Sequence, residues 1–253
     1  MTTDRQNGLF ESFVNQRTYS EKAEDRALIV QITEAVRSVL PGAGVRWAGS
    51  QYKQTAVKGS DLDMCIESNS PVTESQRRAL RRALADALHR PVSVQSHALR
   101  VAAGEAGPKV DVCFGNAAFG SRPLPDATEF RDRRARQMAA RALKLWIRGS
   151  RLPAVPGWAI EALVVHLDTQ PGSFGPLELF IRVVTWIATK ATPQSVEGVL
   201  RPAAKPAWNA AWKNRLGGRL EALQNSARSL LARSTPSVPW SSELDVATWL
   251  GCQ

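Results

Sequence analysis

Cysteine is scarce in this chain: Cys65, Cys113 and Cys252 are all it has, with no CxxC pair and no Cys/His cluster. So sparse and odd a set argues against a disulfide scaffold and a structural zinc site, and it fits a reducing compartment, so a cytoplasmic location is expected. Long apolar runs are missing too. No window approaches the ~18 consecutive apolar residues of a membrane-spanning helix. The stretch Met1 to Asn15 lacks the basic-then-apolar order of a signal peptide. No membrane partner is expected. There is no internal repeat or low-complexity tract, and 43% hydrophobic with 22% charged residues is the composition of a folded protein.

What is there in excess is positive charge. Over 253 residues, 33 Lys and Arg against 23 Asp and Glu leave a net charge of +10, with a pI near 10.1. Such a field favours polyanions: nucleic acid, a nucleoside triphosphate or an acidic membrane surface. Most of the basic residues are arginine, the better fork for phosphate oxygens. GC-rich coding also raises arginine with no partner at all, so charge alone decides nothing.

The hydrophobic spacing changes character along the chain. Tyr19 to Leu40 reads as a helix with Ser20 as N-cap, and Ser75 to Arg90 as an amphipathic helix with Leu80, Leu84 and Leu88 on one stripe. Val45 to Ala48, Leu62 to Glu67, Val92 to Val101 and Lys109 to Phe114 have strand character. Beyond Gly120 the pattern is helical throughout: Asp126 to Arg151, Trp158 to Thr169, Leu177 to Lys190, Pro206 to Arg233 and Ser242 to Leu250. The expected fold is α+β, a mixed sheet with flanking helices over 1–125, followed by an all-helical domain over 126–253.

Three carboxylates stand at strand period. Asp61 and Asp63 are two apart and share a face, while Leu62, Met64 and Ile66 face the other way. Asp111 lies between Val110 and Val112 on a later strand. If those strands pair, the three acids converge. Two carboxylates ~4 Å apart repel by up to ~4 kcal/mol at an effective dielectric near 20, so the cluster calls for a cation or shifted pKa values. Oxygen-only ligands suit Mg²⁺, and two such ions clamp the attacking and leaving oxygens of a phosphoryl or nucleotidyl transfer. Upstream, Gly49-Ser50 follows a strand. There a small residue admits a phosphate to the backbone, and a hydroxyl and N–H groups bind its oxygens.

The run Val45-Arg46-Trp47-Ala48-Gly49-Ser50, then Thr55-Ala56-Val57 and Gly59-Ser60-Asp61-Leu62-Asp63, resembles the DNA polymerase β-like nucleotidyltransferase superfamily. Within it the chain is similar to the template-independent branch: oligoadenylate synthetases, cyclic GMP–AMP synthase, bacterial CD-NTases, and poly(A) and terminal uridylyl polymerases. Arg141-Ala-Leu-Lys144-Leu-Trp146 and Trp158-Ala-Ile-Glu161-Ala-Leu-Val-Val-His166 are similar to two helices that follow the third carboxylate in that branch. The resemblance covers roughly Ser20 to Lys190. It implies metal-dependent catalysis by Asp61, Asp63 and Asp111 with two Mg²⁺ (or Mn²⁺) ions. It also implies phosphate binding at Gly49 and Ser50, contact of Lys144 with the triphosphate, and a helical domain closing the nucleotide cleft. Relatives often carry glycine where Gln54 sits. The zinc insertion of animal cyclic GMP–AMP synthase is absent, and no RNA-recognition module is visible.

Other residues have blander readings. Arg134, Arg141 and Arg148 recur at seven-residue spacing as one basic stripe, which a solvated face explains equally well. His166 is expected as a satisfied core histidine, Glu161 as a brace of the helical domain, Cys65 and Cys113 as half-buried thiols, and Trp208 and Trp212 as packing residues. The expected activity is transfer of a nucleotide from an NTP to a ribose hydroxyl with release of pyrophosphate. The first-ranked product is a cyclic or linear oligonucleotide second messenger. The alternatives are template-independent RNA 3′-end addition, with RNA held on the basic surface, and a non-catalytic nucleotide- or RNA-binding relative.

Overall fold

The structure is a computed structural model that describes residues 4–95, 98–104, 107–114, 127–152, 155–169, 174–199, 219–233 and 240–252. It divides into two compact units. One holds Tyr19–Tyr52 and Lys58–Arg122; the other holds Met1–Thr18, Lys53–Val57 and Pro123–Gln253. The expected division at 125/126 assigns Met1–Thr18 and Lys53–Val57 to the other side, and the 125/126 junction itself lies outside the described residues.

The first unit is a five-stranded mixed sheet with helices. In chain order it contains α2 (Ala23–Val39), β1 (Gly44–Trp47), the single turn α3 (Gly49–Tyr52), β2 (Leu62–Glu67), α4 (Glu74–Leu88), β3 (Val92–Val94), β4 (Ala98–Val101) and β5 (Val110–Phe114). The strand order is β1-β2-β5-β4-β3, parallel between β2 and β5 and antiparallel elsewhere. Leu62, Met64 and Ile66 of β2, Leu99 and Val101 of β4, and Val110, Val112 and Phe114 of β5 share one core with Leu28, Ile32 and Val36 of α2 and Leu80, Leu84 and Leu88 of α4. Burying each such side chain stabilises the fold by about 1.5–3 kcal/mol. By the two-residue strand period, the intervening residues Asp63, Cys65, Arg100, Asp111 and Cys113 occupy the other face.

Two expectations here are corrected. Helix α2 begins at Ala23 rather than near Ser20, because the Asp25 carboxylate accepts hydrogen bonds from the Lys22 backbone N–H and the Tyr19 hydroxyl, both at 2.9 Å, and fixes the start there. The single strand expected over Val92 to Val101 is instead the antiparallel pair β3 and β4. Helix α4 starts within one residue of the expected Ser75, with Thr73 as N-cap and Gln76 closing a capping box.

The second unit is helical: α1 (Asp4–Gln16), α5 (Arg134–Gly149), α6 (Gly157–Leu167), α7 (Pro176–Lys190), α8 (Pro193–Val199), α9 (Leu220–Arg233) and α10 (Glu243–Leu250). Its core joins Phe10 and Phe13 of α1, Trp146 of α5, Phe180 of α7 and Trp249 of α10, with Phe10–Phe180 and Phe180–Trp249 ring centroids each 5.5 Å apart. A buried ion pair, Arg136 Nε to Asp168 Oδ2 at 2.5 Å, ties the start of α5 to the end of α6. The continuous helix expected over Asp126 to Arg151 is broken. A 3₁₀ turn at Ala127–Glu129 precedes fully buried Phe130, Asp132 takes a left-handed φ of 56°, and α5 starts only at Arg134. Trp208 and Trp212, and the first part of the helix expected over Pro206 to Arg233, lie outside the described residues. Among the described residues no helix is long and apolar enough to cross a membrane.

Candidate active site

Two of the three predicted acids meet on the sheet. Pairing of β2 with β5 puts Asp63 directly beside Asp111 in register, and Cys65 beside Cys113 two residues further on. Asp61 stands just before β2, where it ion-pairs with Lys109, the residue before β5. Antiparallel pairing of β4 with β5 places Arg100 opposite Asp111. The guanidinium grips that carboxylate with two bonds, Nε to Oδ1 at 2.8 Å and Nη2 to Oδ2 at 2.9 Å. A row Asp63–Asp111–Arg100 therefore crosses three neighbouring strands. The Arg100 guanidinium is held above the usual arginine range first by its bond to Asp111, against burial, and then by the charges of Asp111, Asp61 and Asp63. All three acids are thus within electrostatic reach of one cation.

The Gly49-Ser50 turn is built against this row. The Ala48 N–H donates to the Asp63 carbonyl at 2.8 Å, and Gln51 Nε2 donates to the Asp61 carbonyl at the same distance. Gly49 has a φ of +55°, and a Cβ built on it would lie 2.1 Å from Asp63 Oδ2. Only glycine fits there, both for its backbone angle and for the approach of the acid. Gln51 is a positioning residue that sequence reading missed, since nothing in its spacing marks it.

The donor set is carboxylate oxygen only, and the Gly49 cradle leaves Asp63 room that any side chain would fill; both features fit a hard divalent cation such as Mg²⁺. Among the described residues, no three acidic, His or Cys side chains are gathered into a ready metal cage. Arg100 and Lys109 each hold one of the acids as an internal counter-ion. Sequence reading missed both, although the strand period alone puts Arg100 on the face opposite Leu99 and Val101.

Lys144 occupies a different setting from the expected one. It is 9% exposed on α5, and its Nζ donates to Glu161 Oε1 at 2.9 Å, the Thr55 carbonyl at 3.0 Å and Thr55 Oγ1 at 3.1 Å. Lys53 Nζ and the Thr55 hydroxyl each donate to Glu161 at 2.5 Å. Burial pushes the Glu161 carboxyl up, but Lys144 and Lys53 more than reverse this and bring it to about 2. Glu161 is the brace expected of it, here joining α6, α5 and the segment Lys53–Val57. To reach a phosphate, Lys144 has to exchange Glu161 for the ligand.

The basic stripe on α5 resolves into three different environments. Arg134 is exposed and pairs with Glu11, and Arg148 is exposed. Arg141 is partly buried, its Nη1 donates to Met138 Sδ at 3.6 Å while its Nε has no hydrogen-bond partner among the described residues, and burial pushes its pKa down to about 10. A cation desolvated without a carboxylate is the kind of group that awaits an anion. His166, expected in the core, is exposed, because it sits on the outer side of α6 while Val164 and Leu167 point inward. Neither Cys65 nor Cys113 is in a disulfide, and both are more deeply buried than expected.

A mixed sheet with two strand acids beside a glycine-led turn, followed by a helical domain, is the fold of a polymerase β-like nucleotidyltransferase. Residues 7–116 match the family described as poly(A) RNA polymerase, mitochondrial-like, central palm domain. No curated protein matches the sequence. Among solved structures, the GLD-2 non-canonical poly(A) polymerase in its complex with GLD-3 is similar at a TM-score of 0.70 and 12% identity, over 99% of both chains. A cytoplasmic RNA terminal U-transferase gives 0.65 and 12%, over 98% of both. The Cid1 poly(U) polymerase with MgGTP bound gives 0.66 and 13%, over 94% of this chain and 98% of that one. These likenesses lie with RNA-tailing polymerases and correct the ranking given above. Second-messenger synthesis draws no support from them.

Proposed function

We propose that this chain is a template-independent RNA 3′-end nucleotidyltransferase, of poly(A) or poly(U) polymerase type, that adds a nucleotide from an NTP and releases pyrophosphate. The observation that carries the reading is the pairing of Asp63 with Asp111 against the Gly49 backbone, in a palm that matches a poly(A) RNA polymerase family. Asp61, Asp63 and Asp111 would hold two Mg²⁺ or Mn²⁺ ions. When bound, these ions neutralise the triphosphate and lower the pKa of the acceptor hydroxyl. Gly49 and Ser50 offer N–H and hydroxyl donors to the phosphates, and Gln51 keeps that turn fixed on the Asp61–Asp63 strand. Of the cations on α5, Arg141 and, once drawn from Glu161, Lys144 are assigned to phosphate contacts. The RNA 3′-hydroxyl attacks the α-phosphorus, and catalysis rests on positioning and charge neutralisation. The net charge of +10 suits an RNA acceptor and predicts binding that weakens steeply with salt.

The test incubates the protein with each α-labelled NTP and Mg²⁺ or Mn²⁺, with and without a short RNA, beside Asp63→Asn. Label on the RNA 3′ end from the wild type and none from Asp63→Asn is the expected result. Small phosphatase-resistant products formed without RNA, or equal behaviour of the two proteins, would overturn it.

A further inference from the structure

The acid row already contains a cation of its own. Arg100 contacts both oxygens of Asp111 through Nε and Nη2, the fork-on-carboxylate geometry that gives the strongest of such pairs. In doing so it takes one lone pair on each of the two oxygens that a metal ligand has to offer, and sets a positive charge where the metal would sit. The pair lies at a junction of solvent and protein, Asp111 being 15% and Arg100 40% exposed at the side chain, so the guanidinium can swing away into water. The antiparallel register of β4 on β5 keeps it directly opposite whenever it returns. Lys109 covers Asp61 in the same way, by a single contact.

We propose that Arg100 is the resident counter-ion of the acid cluster and competes with the divalent cation for Asp111, so that metal loading requires the Arg100–Asp111 pair to open. The inference rests on the metal site of the preceding reading and adds a regulator to it. Without metal, Arg100 relieves the repulsion between neighbouring Asp63 and Asp111 and keeps the sheet face intact. Free metal then binds weakly, because it displaces a bidentate partner; metal arriving with a triphosphate brings further ligands and overcomes the competition. Arg100 is in this sense a positioning residue, which sets how strongly occupancy depends on nucleotide.

The experiment measures Mn²⁺ affinity of the full chain, without nucleotide, by electron paramagnetic resonance of free Mn²⁺. Wild type is compared with Arg100→Gln, Arg100→Lys, Asp111→Asn and the Arg100→Gln/Asp111→Asn double variant, with melting curves on each. Arg100→Gln is expected to bind about tenfold more tightly, equivalent to about 1.4 kcal/mol. Arg100→Lys, which keeps the charge but not the fork, falls between, and serves alone if Arg100→Gln does not fold. In the Asp111→Asn background the gain disappears, as a direct pair requires. Unchanged or weaker binding in both Arg100 variants, a gain that persists without Asp111, or no Mn²⁺ uptake by any of the proteins overturns the competition. RNA labelling is read separately. Tighter binding in Arg100→Gln with no labelling by wild type refutes the tailing reading alone; unchanged affinity in both Arg100 variants, with a wild type that labels RNA, refutes the competition alone.

Discussion

Replacing Gly49 with alanine separates backbone strain from damage to the acid site. The new Cβ would lie 2.1 Å from Asp63 Oδ2, 2.6 Å from Cγ and 2.8 Å from Cβ, so the carboxylate has to retreat by roughly 1 Å to reach ordinary contact. At a φ of +55°, alanine also carries about 1–2 kcal/mol of left-handed strain. Gly42→Ala is the matched control: its φ is +84°, and nothing lies within 4 Å of the Cβ position. Both variants are expected to lose roughly 3–6 °C in Tm on the strain alone. They part in kinetics. A misplacement of about 1 Å at the reacting centre costs on the order of 100-fold in rate, so kcat/KM for nucleotide addition to RNA falls about that much in Gly49→Ala and stays near wild type in Gly42→Ala. If Gly49→Ala tails RNA within threefold of Gly42→Ala, the claim that Gly49 exists to admit Asp63 is refuted.

Other perturbations follow from the buried charges and the strained loop. Glu161→Gln leaves Lys53 and Lys144 without their carboxylate and is expected to cost about 3 kcal/mol in urea melts near neutral pH. Because the folded pKa of Glu161, about 2, lies below its usual 4.5, the stability it adds is complete above pH 4.5 and is lost as pH falls through about 2. The gap between wild type and Glu161→Gln therefore narrows across that window, and a constant gap would contradict the assignment. Gln54 is held at a left-handed φ of 58°, so Gln54→Gly is expected to raise stability by up to about 1 kcal/mol, read as a higher Tm; a fall of that size would show that the Gln54 side chain matters more than its backbone. Arg141→Met removes a desolvated cation, so the melting temperature is expected to hold or rise. The salt dependence of RNA binding should lose about one unit of slope if Arg141 meets a phosphate, and an unchanged slope removes it from the site.

The legible parts of this molecule were those governed by local spacing. The two-residue period put Leu62, Met64 and Ile66 on one face and the acids on the other, and Leu80, Leu84 and Leu88 marked the buried stripe of α4. Where tertiary contacts override local pattern, the chain was harder to read. Asp25 fixes the start of α2 by accepting from the Lys22 N–H and the Tyr19 hydroxyl, and fully buried Phe130 lies where the expected helical run is interrupted. In the candidate site, a motif of small residues and acids pointed to Gly49, Ser50, Asp61, Asp63 and Asp111. Arg100 and Lys109 stayed hidden because each acquires meaning only from its partner acid on or just before another strand, and Glu161 was read as a brace without its partners Lys53 and Lys144. Lys144 shows the reverse case, a residue picked out by resemblance whose nearest partners are Glu161 and Thr55.

The parallel pairing of β2 with β5 also has a consequence for folding. The two strands are separated in the chain by α4 and the β3–β4 hairpin, so bringing Asp63 beside Asp111 closes a loop around that whole segment. Pairings of this kind carry a large loop-closure entropy and form slowly compared with helices. The helix signal of a refolding chain should thus recover before its ability to transfer nucleotides. Competence for chemistry is acquired late, and its appearance reports on the middle of the sheet.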